Sequence, residues 1–128
     1  MYPSVTRLLA ITATLLVVMF SMIHVEAANS FHLGPADSGK TITVKVGDHV
    51  EVRLPDEKHG GVQWVYSEVV SSDTNVLVRI DRGGFGLFYA EAAGSSDLTA
   101  DEHCKPEPPK VCLLMVRQWK VQVNVEAH

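Results

Sequence analysis

Residues 41–55 read Thr-Ile-Thr-Val-Lys-Val-Gly-Asp-His-Val-Glu-Val-Arg-Leu-Pro. Ile42, Val44 and Val46 alternate with Thr41, Thr43 and Lys45, and Gly47-Asp48 then breaks the run as a turn does. Val50, Val52 and Leu54 alternate with Glu51 and Arg53 until Pro55 stops the pattern. A period of two sends successive side chains to opposite faces, so each half of the stretch reads as a strand with one apolar face.

The same pattern extends in both directions from Pro55, and no segment sustains a 3.6 period. Val62, Trp64 and Tyr66 form one candidate strand, and Val76, Val78 and Ile80 form another after the polar Ser71–Asn75. Phe88 and Ala90 lie between the Gly83-Gly84-Phe85-Gly86 loop and Gly94, and Leu98 sits in a short strand ending near Ala100. Trp119, Val121, Val123 and Val125 alternate with Gln118, Lys120, Gln122 and Asn124. About seven short strands, each bounded by Gly, Pro, Asp or Ser, predict an all-β antiparallel sandwich over residues 41–128. Residues 28–40 are polar and contain Gly and Pro, which reads as an irregular lead-in. Residues 101–110 carry Pro106, Pro108 and Pro109 among charges, which reads as an exposed loop.

The first 27 residues stand outside this pattern. Leu8 to Ile23 is an uncharged stretch behind Arg7, and Val25-Glu26-Ala27 places small residues at −3 and −1 for cleavage before Ala28. Residues 1–27 therefore read as a signal peptide, with a retained membrane anchor as the competing reading, and the product as secreted or periplasmic. Of 128 residues, 101 remain, with 10 Lys+Arg against 14 Asp+Glu, a formal charge of −4. That length suits one domain and leaves no room for an inter-domain catalytic cleft. A mildly acidic chain without a basic run predicts no nucleic-acid partner and, once the signal is removed, no membrane partner. In an oxidising compartment the two cysteines, Cys104 and Cys112, read as one local disulfide worth about 2.5 kcal/mol. Two metal thiolates would need further ligands at suitable spacing.

The run Val46-Gly47-Asp48-His49-Val50-Glu51-Val52-Arg53-Leu54-Pro55, with Gly61 and Trp64 downstream, resembles the chagasin-like cysteine peptidase inhibitors, which carry V-G-x-x-V-E-x-x-L-P followed by G-x-x-W. Ala92-Ala93-Gly94 leading to Leu98-Thr99 is similar to a second family pattern. The resemblance implies an immunoglobulin-like sandwich in which three loops at one end form a wedge that fills a papain-like active-site cleft. The family's loops carry Asn-Pro-Thr-Thr-Gly, Gly-x-Gly-Gly and Arg-Pro-Trp. Here the first reads Glu57-Lys58-His59-Gly60-Gly61 and keeps only Gly61. The second is placed at Gly83, Gly84 and Gly86, in altered order. The third, counted from Leu98-Thr99, falls on Glu102-His103-Cys104 and keeps none of the three residues, while Arg117-Gln118-Trp119 stands at the start of the last strand.

Other chemistry is sparse. Trp64 and Trp119 share the parity of their apolar neighbours and read as core. The Gly83–Gly86 run lacks the helix and Lys-Ser/Thr of a phosphate cradle. If the first and third loops converge, Asp56, Glu57, His59, Asp101, Glu102 and His103 gather at one rim, either as solvated groups or as a weak zinc or copper site. No G-x-S-x-G or H-E-x-x-H is present, so no catalytic residue and no cofactor is assigned. The expectation is a secreted, non-enzymatic protein-binding module whose partner is a papain-like cysteine peptidase or another protein. A structural or envelope-associated domain is the alternative.

Overall fold

A computed structural model describes residues 27–81, 86–109, 111–112 and 115–128. Among the described residues, ten strands and one short 3-10 turn are formed: β1 (Ser30–Leu33), the turn Pro35–Asp37, β2 (Thr41–Lys45), β3 (His49–Val52), β4 (Glu57–His59), β5 (Val62–Tyr66), β6 (Val70–Ser71), β7 (Leu77–Arg79), β8 (Gly86–Ala90), β9 (Gly94–Lys105) and β10 (Val116–Glu126). They make two sheets, β1-β3-β8-β7 and β2-β10-β9-β5-β4, with β6 added to β9. Alternation builds the core between them. Val50, Val52, Leu77, Phe88 and Ala90 from one sheet meet Val44, Leu98, Ala100, Trp119, Val121, Val123 and Val125 from the other.

The stretch from Thr41 to Pro55 forms the two strands read in it, but they belong to different sheets. Gly47, at φ +97°, and Asp48 turn the corner between them. The Asp48 carboxylate, 5% exposed, accepts the backbone N–H of Lys45 at 2.8 Å and of Asn29 at 2.9 Å. Its own carbonyl accepts Ala90 N–H at 2.9 Å, and Gly47 N–H donates to Ala90 O at 2.9 Å. Four segments, the ends of β2 and β8 and the starts of β1 and β3, are thus tied at one corner. Burial pushes the Asp48 carboxyl up, but the hydrogen bonds from Lys45 and Asn29 outweigh it and hold the group below the ordinary carboxylate range. A second tie joins the chain start to the last strand, where the Trp119 indole N–H donates to Gly34 O at 2.9 Å.

The all-β sandwich reading holds, with four corrections. The sheets are mixed, because β1 runs parallel to β3 and β2 parallel to β10. The lead-in at 28–40 contains β1, whose Phe31 and Leu33 alternate with Ser30 and His32 but stand among polar, Gly- and Pro-containing neighbours that mask so short a run. β9 does not stop near Ala100 but continues to Lys105. Asp101–Lys105 are therefore strand and not loop, since the prolines that bar pairing begin only at Pro106. Finally, β7 buries Leu77 completely, while of Val76, Val78 and Ile80, whose parity was read as the apolar face, Val76 is buried and Ile80 is 49% exposed. Apolar residues occupy both parities there, so the pattern could not choose a face.

Replacing Asp48 by Asn keeps one acceptor, turns an NH2 toward the second N–H, and should cost about 2 kcal/mol at pH 7. Folding holds this carboxyl below its unfolded pKa of about 3.9, so its contribution is complete above that value and is lost as pH falls through the folded-state pKa. Denaturant titrations of both proteins should show the difference at pH 7 and a smaller one at pH 3.

Candidate functional site

The corner at Gly47-Asp48 defines one end of the sandwich, shared by the C-terminal ends of β2, β8 and β10 and the start of β9. The opposite end therefore collects the ends of β3, β7 and β9 and the starts of β5, β8 and β10. Three connections between strands that end and begin there are Pro55–Gly61, the link from β7 to β8, and the link from Lys105 to Val116; the segment 34–40 also leaves β1 at this end.

The first connection is itself partly strand. Glu57–His59 pairs with Val62–Trp64 as a hairpin, and Gly60 and Gly61, at φ +61° and +76°, supply its left-handed turn. Both glycines stand where side-chain-bearing residues would be strained. The Glu57 carboxylate accepts the His59 Nε2–H at 2.7 Å, and Lys58 lies opposite Gln63 on the other face.

Sheet pairing carries the core-facing surface of the larger sheet beyond its partner sheet. Trp64 stands opposite both Glu57 and Cys104, and Glu102 stands opposite both Tyr66 and Arg117. Residues opposed in register share a face, so Glu57, Trp64, Tyr66, Glu102, Cys104 and Arg117 form one overhanging patch. The Arg117 guanidinium lies over the Trp64 ring, 5.1 Å from its centroid. Trp64 is buried, as its parity implied, and stands beside the main core cluster, not within it. Its cover is local. Burial pushes the Tyr66 phenol up, as do the charges of Glu102 and Glu57 and a hydrogen bond to Glu102, with Arg117 opposing them.

Several predicted site residues stand elsewhere than expected. Glu102 and His103 lie within β9, not in a loop, and as strand neighbours they point to opposite faces. His59 and Glu57 share the face of Glu102, whereas His103 and Asp101 share the other, so the two imidazoles do not converge. Among the described residues no group of three His, Cys, Asp or Glu is arranged to hold a metal ion. Gly86 opens β8, paired with Val52, and is buried. A Cβ there would meet Phe88 Cε2 at 2.9 Å, so the absence of a side chain serves packing. Gly83 and Gly84 lie outside the described residues. Cys104 and Cys112 are joined as a disulfide, which removes the thiolate reading.

The third connection lies several residues later than the motif count placed it, because β9 is longer than expected. It carries the feature that sequence reasoning missed, an exposed apolar set formed by Val111, Met115 and Val116. The available signal was the apolar run after Pro109, which has no alternating polar residues and hence no strand face to fill.

No family model matches the sequence, and no curated protein does. Among solved structures, the fold is similar to the cysteine protease inhibitor EhICP2 from Entamoeba histolytica, with a TM-score of 0.55 at 10% identity, covering 80% of this chain and 100% of the inhibitor. Amebosin is matched with a TM-score of 0.41 at 18% identity, over 79% of this chain and 100% of its own. The architecture is thus chagasin-like, an all-β sandwich.

Removing the Arg117 guanidinium should uncover Trp64. Arg117→Ala is expected to cost about 1 kcal/mol and shift indole emission to the red. Thermal melts and fluorescence spectra check both effects.

Proposed function

We propose that this chain is an exported, non-enzymatic inhibitor of a papain-like cysteine peptidase, acting reversibly through the end of the sandwich opposite Asp48. The observation that carries the reading is the gathering of three connections at that one end, on a fold similar to that of a known cysteine protease inhibitor. Topology, and not loop sequence, supports it.

A wedge of this kind blocks a cleft by occupying it. Its affinity depends on apolar anchors, on exclusion of water, and on how little conformational freedom its loops lose on docking. The β4–β5 hairpin and the disulfide both limit that freedom. The two Gly residues at the hairpin turn work against it, since glycine loses the most backbone entropy on ordering. No covalent step is involved, because both cysteines are spent in the disulfide and no free thiol exists among the described residues.

Export follows from the reading of residues 1–27 as a signal peptide cleaved before Ala28, which places the disulfide in an oxidising compartment. N-terminal sequencing of the chain recovered from an exporting host should begin at Ala28. A product beginning at Met1 would mean that the segment is kept as a tether.

Titration of the exported chain against papain and related enzymes should give competitive inhibition that reverses on dilution. No inhibition at micromolar concentration would remove the peptidase reading and leave a structural or envelope-associated domain.

A further inference from the structure

The connection between β9 and β10 presents more exposed apolar surface than any other described part of the chain. Val111 is 89% exposed, Val116 68% and Met115 48%, whereas Val70 and Ile80, the other exposed large apolar residues, stand singly. The described residues of this connection, 106–109, 111–112 and 115, make no hydrogen bond or ion pair to a described residue of the sandwich. Their tie is the bond from Cys112 to Cys104, which stands on the overhanging patch opposite Trp64.

An apolar tip held at the end of a sandwich suits a concave, apolar partner surface, where large side chains can be desolvated completely. The prolines at 106, 108 and 109 and the disulfide reduce the freedom such a tip loses on docking. A formal charge of −4, with Glu107 in the connection itself, argues for a protein cleft over an anionic lipid surface.

We infer that the Cys104–Cys112 bond is a thiol-sensitive latch on this contact, and that the tip with Val111, Met115 and Val116 is the anchor it holds. The inference rests on the inhibitory reading given above. A dithiol reductant breaks the latch by attack of its thiolate on one cystine sulfur. Its second thiol then displaces the remaining cysteine, so that the reductant becomes a disulfide and Cys104 and Cys112 end as two thiols. The sandwich stays folded, because its core and the Asp48 corner lie apart from the latch. A peptidase that needs a reduced nucleophilic thiol and an inhibitor that needs an intact disulfide respond to the same reductant in opposite senses, so reducing conditions release the enzyme.

The test compares the exported chain with its Cys104→Ser/Cys112→Ser variant against papain that has been reduced and freed of reductant. The variant should bind about 10- to 100-fold more weakly while keeping the far-ultraviolet circular dichroism of the folded sandwich. Equal inhibition constants would overturn the latch. Limited proteolysis of the wild-type chain before and after dithiol treatment reads the latch without any peptidase partner. Reduction should speed cleavage between 106 and 115 at least 10-fold and leave the remainder intact. Unchanged cleavage, or loss of the whole domain, would overturn it. If neither form inhibits while reduction still exposes the segment, the peptidase reading fails and the latch stands. Co-sedimentation with phosphatidylserine vesicles that is lost in Val116→Asp would move the tip to a lipid partner and overturn the anchor assignment.

Discussion

The carboxylate of Asp48 holds the point where the chain leaves one sheet for the other. Two backbone N–H groups, from residues 19 and 3 positions earlier, converge on it in a nearly dry site. A buried carboxylate is tolerated only when its lone pairs are filled. Here filling them fixes the start of β1, the end of β2 and the start of β3 relative to each other. Through the Gly47 and Ala90 backbone bonds, the same corner also fixes the end of β8. The two sheets then have one mutual placement, and the connections at the far end inherit it.

What that far end displays follows from unequal strand lengths. β9 and β10 span 12 and 11 residues, whereas β3 has 4. The larger sheet overshoots, and its core-facing surface runs on without a sheet opposite it. Trp64 would be left in water there, and Arg117, the Cys104–Cys112 bridge and Tyr66 stand around it in the same patch. The candidate site is therefore an extension of the core surface covered by side chains in place of a second sheet.

The sequence revealed the parts governed by alternation. β2, β3, β5 and β10 were legible because all, or all but one, of the apolar residues in each share a parity, and Trp119, Val121, Val123 and Val125 are buried as that parity requires. β1, β4 and β6 were not: β4 and β6 are two or three residues long, and β1 is one short alternation among polar residues, held by a partner distant in the chain. The inward face of β7 was not legible because Leu77 stands between Val76 and Val78, which are equally apolar. The longest misreading concerned Asp101–Lys105, whose polar side chains suggested a loop. A strand that overhangs the core has no need of apolar residues on either face, so its composition no longer reports its conformation. That error displaced the third connection and hid Val111, Met115 and Val116 as a surface. The disulfide was legible because two cysteines leave one pairing.

The proposed partner contact lies at the end of the sandwich farthest from Asp48. Hydrogen exchange, measured on the chain alone and with papain inactivated at its nucleophilic cysteine, tests this directly. Added protection is expected in residues 57–66 and 102–117 and none at 46–49 or 90–94. Protection confined to the Asp48 end, or no protection anywhere at saturating enzyme, would contradict it.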